Sequence, residues 1–428
     1  MATTLLTGIS ELWTLDPSCE DPQERGVSSE QVIRDAALVM EDGRIAWTGP
    51  ASAAPTADHH EDLGGRAVLP GWVDSHSHLV FDGDRSAEFE ARMAGESYAA
   101  GGIQVTTNAT RRAGDDRLRV LVEDRIAEAR AGGTTCLETK TGYGLTVRDE
   151  ERAARLLAAL VAEGELEEAT FLGAHLVPAE YDGQDGRPGA EDYVDLVCGS
   201  MLEAVAPHVR WADVFCETGA FTAEQSERVL RAAREAGLGL RVHGHQIERS
   251  GGVALACDLG AASVDHLNAM TDEDVQALAA TAAHAVRTAD GAEAEGLLDP
   301  LEGPTVATVL PACDLSTRAP LAPARALLDA GAHLAIASNC NPGTSYTSSM
   351  SFCVGTAVLQ MRLSLAEAIR AATRGGALAL RRSDVGHLGV GARADLHVLD
   401  APAAIHLAYR PGMPLTHQVW RRGMRVCG

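Results

Sequence analysis

Leu69-Pro70-Gly71-Trp72-Val73-Asp74-Ser75-His76-Ser77-His78-Leu79-Val80 is the stretch whose reading decides the fold. An apolar run ends in Pro-Gly, a second short run follows, and two histidines then alternate with a serine. Side chains two apart on a strand face the same way. His76 and His78 therefore point to one side together and can grip one metal ion. A His-x-His pair alone is weak evidence. Its weight comes from later strands, which carry further polar residues at their ends.

From Val68 onward short apolar runs alternate with longer segments of helical period. The runs Thr135–Thr139, Thr170–Leu176, Ala212–Glu217, Leu240–His245, Ser263–His266, Val306–Leu310 and Leu334–Ser338 read as strands. Between them, Arg117–Ala131, Asp149–Ala162, Ala223–Ala236 and Pro320–Ala330 read as helices. With the strand before His76 the strands number eight, and strand–helix alternation implies a parallel sheet. Eight such units over about 300 residues imply a closed barrel. An open doubly wound sheet would want a Gly-x-Gly-x-x-Gly turn after its first strand, and none is there.

The two ends of the chain read differently. Ala36 to Gly49 holds two apolar runs around Glu41-Asp42-Gly43-Arg44, and Asp-Gly between such runs signals a hairpin. His59 and His60 read as surface residues in a polar, Ala-rich loop. Gly391-Ala392-Arg393-Ala394-Asp395-Leu396 reads as a turn into a strand, and Gln418–Val426 as another. The fold expected is thus α/β: a (β/α)8 TIM-like barrel with a small β-sandwich domain built from both chain termini. Residues 1–66 and 386–428 form the composite β-domain and 67–385 the barrel. Residues 282–304, rich in Ala, Gly, Asp and Glu, read as an insertion before the seventh strand, either plain surface or a lid over the barrel mouth.

The chain has 428 residues, 46% of them hydrophobic, enough for a full core, and a formal charge of −24. That charge argues against nucleic acid and anionic membranes as partners. Nine cysteines are scattered without Cys-x-x-Cys spacing, the pattern of reduced thiols in a cytoplasmic protein. No basic segment precedes the first apolar residues, and no run reaches membrane-spanning length.

Barrel chemistry sits at the carboxyl ends of strands. There the chain places His76 and His78, Lys140 and Tyr143, His175, His243 and Gln246, His266, and Asn339 and Asn341. A single buried histidine is usually a hydrogen-bonded core group; a set at corresponding strand ends is not. His76, His78, His243 and an oxygen from Asn339 would hold one metal ion with an open position. Nitrogen and oxygen ligands without thiolate suit zinc first and iron second. Such an ion lowers the pKa of water, and His266 would serve as general base or acid.

The Pro-Gly-x-Val-Asp-x-His-x-His start and the late Gly-x-x-Ala-Asp-Leu segment resemble the amidohydrolase superfamily. Within it the chain resembles the imidazolonepropionase family of histidine degradation. The matching segments are His78-Leu-Val-Phe-Asp-Gly-Asp-Arg85, Lys140-Thr-Gly-Tyr-Gly-Leu145, Gly173-Ala-His-Leu-Val-Pro178, Phe215-Cys-Glu-Thr-Gly219, Val264-Asp-His266 and Asn341-Pro-Gly-Thr344. The resemblance implies ring-opening hydrolysis of 4-imidazolone-5-propanoate to N-formimidoyl-L-glutamate, one divalent or trivalent metal ion, a small-molecule substrate and a homodimer. It also implies site roles. Arg85 would pair with the propionate carboxylate. Tyr98, Tyr143 and His175 would line the ring pocket. Gln246 would touch the substrate, and Asn341, Gly343 and Thr344 its glutamate-like part. Taken without the family, Arg85 is as readily a surface salt-bridge residue and Tyr98 a helix-packing one.

Two positions depart from the family pattern. Gln246 stands where a Glu is common, and Asn339 stands where the family has an Asp. Neither amide can carry a proton, so that work falls to His266. Two alternatives remain open at this point: a diverged amidohydrolase acting on another cyclic amide or amidine, and a ligand-binding relative without catalysis.

Overall fold

The computed structural model describes residues 2–19, 31–95, 102–184, 189–288 and 296–428. Tyr98 lies outside the described residues. The first strands are β1 (Thr3–Trp13), β2 (Val32–Glu41), β3 (Arg44–Pro50) and β4 (His59–Pro70). Eight short strands follow: β5 (Trp72–Asp74), β6 (Thr134–Lys140), β7 (Glu168–Ala174), β8 (Trp211–Cys216), β9 (Gly239–Gly244), β10 (Ser263–His266), β11 (Val306–Val309) and β12 (Leu334–Ile336). The last are β13 (Leu396–Leu399), β14 (Thr416–Arg421) and β15 (Met424–Cys427).

Strands β5 to β12 form one eight-stranded sheet in chain order, each pairing in parallel with the next. They are buried throughout, as strands covered on both faces must be, which is why they read as bare apolar runs. Closure comes just beyond the strand ends. Ser77 bridges Cys340, the Asn339 N–H donates to the His76 carbonyl at 2.9 Å, and the His78 N–H donates to that of Cys340 at 2.9 Å. Beneath them the Asp74 carboxylate accepts from the Ser338 hydroxyl at 2.5 Å and its N–H at 3.0 Å. The barrel is a TIM-like (β/α)8 barrel, as the alternation predicts. Some of the intervening helices start on side-chain caps: Thr146 Oγ1 accepts from the Asp149 N–H, and Thr222 and Gln225 form a reciprocal capping box.

The remaining strands form a seven-stranded sheet ordered β15-β14-β13-β4-β1-β2-β3, so both chain ends share it. The sheet curls on itself. The Ile45 N–H reaches the Ala392 carbonyl and the Ala394 N–H that of Gly43, enclosing a core of Leu6, Leu12, Leu38, Ile45, Leu396 and Val398. The Asp42-Gly43 hairpin is present as read. His59 and His60 are exposed, but they begin β4 rather than lie in a loop.

Residues 296–304 of the insertion are not placed as a lid. Its described residues meet the amino end of the barrel: the Leu298 N–H donates to the Arg381 carbonyl, the Ser383 N–H to that of Gly296, and Arg210, just before β8, to that of Leu298. The reason is topological. A helix-to-strand connection must return to the end where the next strand starts, opposite the mouth.

His397 on β13 seats the small domain on the barrel. Its ring lies edge-on to Trp72 of β5 with centroids 5.3 Å apart, and Thr416 Oγ1 lies 2.9 Å from Nε2. Gly133 has φ +99°, and a Cβ there would stand 2.6 Å from the imidazole, so glycine is required. Burial drives the His397 pKa down to about 3. The folded state therefore refuses a proton that the unfolded chain accepts below about pH 6.5. Stability is lost as pH falls from 6.5 toward 3, by about 1.4 kcal/mol per pH unit from this group. Denaturant unfolding at pH 7.5, 6 and 5 should show His397→Gln losing correspondingly less than the parent. Parallel pH profiles would remove His397 from this role.

Candidate metal and substrate site

The site grows from the carboxyl ends of the barrel strands. His76 and His78 follow β5, His243 lies in β9, and His266 ends β10. His266 has φ +88° and Asn339 φ +51°. These left-handed residues break the strand alternation, so side chains next to one another in sequence can both serve the site. Asp265 and His266 do so. Asparagine tolerates this conformation as aspartate does.

Two carboxylates inside the barrel fix two rings. Asp265 Oδ2 lies 2.6 Å from His76 Nδ1, and Asp213 Oδ1 lies 3.0 Å from His243 Nδ1. Each Nδ1 carries the proton, so each Nε2 presents a lone pair. Those lone pairs meet at His78. Its Nε2 is 3.2 Å from Nε2 of His76 and 3.3 Å from that of His243. His78 Nε2 can donate to only one of them. A cation at the centre resolves the conflict, and tetrahedral ligands about 2.1 Å from one ion stand about 3.4 Å apart. Ring nitrogens of His76, His243 and His266 also lie within 4.8 Å of one another. The residues present therefore fit a metal ion.

Burial, with repulsion from neighbouring cationic groups, holds His76, His78 and His266 well below the usual imidazole range. Neutral rings are what a metal or a proton acceptor needs. Burial raises Asp213, but His243 and Lys140 outweigh it, and the carboxyl ends below its usual range. Lys140 Nζ is bound to Glu138 at 2.8 Å and Asp213 at 3.1 Å, wholly buried, as a counter-charge within this network.

A cavity opens beside these rings. Its wall includes His78, Arg85, Ile103, Tyr143, His175, Leu176, Phe215, His243, Gln246, His266, Asn339, Asn341 and Thr344. Nearly all the residues expected from the sequence thus share one chamber. His175 stacks on His78 with centroids 5.5 Å apart, donates from Nδ1 to the Gly142 carbonyl at 2.8 Å, and is held down to a pKa of about 3 by burial. Tyr143 is placed by its loop: buried Glu150 accepts N–H groups from Gly142, Gly144 and Leu145. The Asn341 amide is spent within its own loop, accepting from Gly343 and Thr344 and donating to the Asn339 carbonyl. Gln246 Nε2 lies 3.8 Å from Cys313 Sγ, a thiol that also contacts Asn339. Cys136, Cys198, Cys216, Cys257, Cys313, Cys340, Cys353 and Cys427 are thiols outside any disulfide among the described residues.

The fold and this site define an amidohydrolase. The amidohydrolase family model matches residues 201–422. Solved structures share the fold at low identity. A triazine hydrolase variant has a TM-score of 0.72 at 20% identity, covering 99% of this chain and 94% of its own. An adenosine deaminase from Xanthomonas campestris, with bound zinc, gives 0.67 at 18%, covering 99% and 92%. Closer relatives match end to end. The imidazolonepropionase of Micrococcus luteus is 65% identical over 427 residues, covering 100% of both chains, and that of Saccharopolyspora erythraea is 60% identical with the same coverage. The chain belongs to the imidazolonepropionase family.

The sequence assigned no role to Asp213, Asp265, Phe215 or Cys313. The carboxylates did leave a signal: an aspartate inside a fully buried strand is costly unless paired, so Trp211-Ala212-Asp213 and Val264-Asp265 point inward to partners. Replacing Asp265 by Asn should free the His76 tautomer and weaken zinc binding by about 10- to 100-fold. Competition against a chromophoric chelator measures this, and unchanged affinity would detach Asp265 from the metal cage.

Proposed function

We propose that the chain opens the ring of 4-imidazolone-5-propanoate by hydrolysis of its C–N amide bond, giving N-formimidoyl-L-glutamate in histidine degradation. Full-length identity to imidazolonepropionases supports this. The single observation that carries it within the molecule is one chamber whose wall holds Arg85, Tyr143 and His175 together with the imidazoles of His78, His243 and His266. Arg85 suits an anionic tail and the imidazoles a polarised carbonyl.

In this reading His76, His78 and His243 would hold one metal ion, with Asn339 Oδ1, a buried oxygen that has no hydrogen-bond partner among the described residues, as the fourth group. Zinc is the first choice and iron the second. The ion would lower the pKa of water and polarise the ring carbonyl. His266, neutral by burial, takes the proton that water gives up and passes it to the ring nitrogen as the C–N bond breaks. Tyr143 and His175 hold the ring flat against the cluster. Gln246 donates a hydrogen bond to it. Asn341 shapes the loop that presents Gly343 and Thr344 to the tail. Arg85 binds the propionate carboxylate, a task its planar fork suits. Nine cysteines without Cys-x-x-Cys spacing and the −24 charge support a cytoplasmic setting away from nucleic acid and anionic lipid, and family resemblance supports a homodimer.

The test is turnover of 4-imidazolone-5-propanoate by the zinc-loaded chain, with the product identified by mass. Turnover is expected, and Asn339→Asp should raise its rate by about 10²–10⁴ by adding a second proton carrier. Equal rates would make His266 sufficient. No turnover by either protein, with zinc bound, would sink the reading in favour of another cyclic amide.

A further inference from the structure

Arg85 precedes the helix Ser86–Met93, and its guanidinium has two sides. One side faces the cavity. On the other, Nε lies 2.8 Å from Glu88 Oε2 and Nη2 lies 2.7 Å from Oε1, a fork closed on one carboxylate. Glu88 itself is absent from the cavity wall. One helical turn on, Arg92 Nη1 lies 3.9 Å from Glu88 Oε1, while its Nη2 donates to the Gly343 carbonyl at 3.1 Å. Both guanidiniums are nearly closed to solvent, at 5% and 4% side-chain exposure, whereas Glu88 keeps 30%. Glycines make the room. A Cβ at Gly343 would run into Arg85 Nη1, and one at Gly102 into the Glu88 carboxylate.

We propose that Glu88 is a positioning residue for substrate specificity, which clamps Arg85 from behind so that its outer edge meets the carboxylate tail of the substrate. This rests on the proposed function and deepens it. Two effects of Glu88 oppose one another. Its charge repels an incoming carboxylate, and its clamp removes the rotamer freedom of a long side chain before the substrate arrives. The guanidinium stands between the two carboxylates and Glu88 is open to water, which screens the repulsion. Pre-organisation should win, because an arginine ordered in advance loses little on binding. The same carboxylate lies 3.9 Å from Arg92 Nη1, and Arg92 in turn donates to the Gly343 carbonyl, which links Glu88 to the loop after β12.

Steady-state kinetics on the zinc-loaded protein tests this. Glu88→Ala should raise KM for 4-imidazolone-5-propanoate about tenfold with kcat within about threefold, and Glu88→Gln, which keeps the shape and one hydrogen bond, should raise it about threefold. Calorimetry with imidazole-4-propanoate should show the same order of loss, and 4-methylimidazole, which has no carboxylate, should bind all three proteins equally. The graded response of the Gln variant and the tailless control separate a clamp from general misfolding. An unchanged or lowered KM in Glu88→Ala would overturn the proposal, as would equal losses for both imidazoles. Failure of the parent to turn over the imidazolone, with the imidazole-4-propanoate difference intact, would count against the proposed reaction and leave the clamp standing.

Discussion

Two carboxylate–imidazole pairs, Asp265 with His76 and Asp213 with His243, hold the site together. Each sets a tautomer, and the tautomers turn two lone pairs toward the Nε2 of His78. With both rings in those tautomers, the Nε2 of His78 can donate to only one of them, and the geometry fits a cation at their centre. Strand alternation brings the rings together, and burial holds His76 and His78 neutral.

The same network explains where charge sits and where it does not. Lys140 and Arg241 lie wholly buried under the cluster, balancing carboxylates that would otherwise be costly in the core. Above it, Gln246 and Asn339 are neutral amides in the chamber wall. They can orient a substrate but cannot move a proton. His266 and Arg85 share the chamber wall with Tyr143 and His175, and in the proposed reading they serve as acid–base group and carboxylate anchor.

Much of this was legible because parallel strands buried on both faces leave short apolar runs, and the polar residue that ends each run marks the mouth. The Asp42-Gly43 hairpin was legible from turn chemistry alone. Other features depend on contacts that local pattern does not carry. Asp213 and Asp265 look like blemishes within strands until their partners from other strands are known. Glu88 looks like an ordinary helical surface residue until Arg85 folds back on it. Composition left plain surface and a lid both open for 282–304; residues 296–304 sit at the amino end because they lead into a strand that starts there.

The most direct test of the cage is an X-ray absorption spectrum of the zinc-loaded protein at the metal edge. The account predicts three imidazole nitrogens at about 2.0–2.1 Å, completed by oxygen, with no sulfur in the shell. A sulfur scatterer at about 2.3 Å, which Cys313 is near enough to the chamber to supply, or fewer than three imidazoles would contradict it.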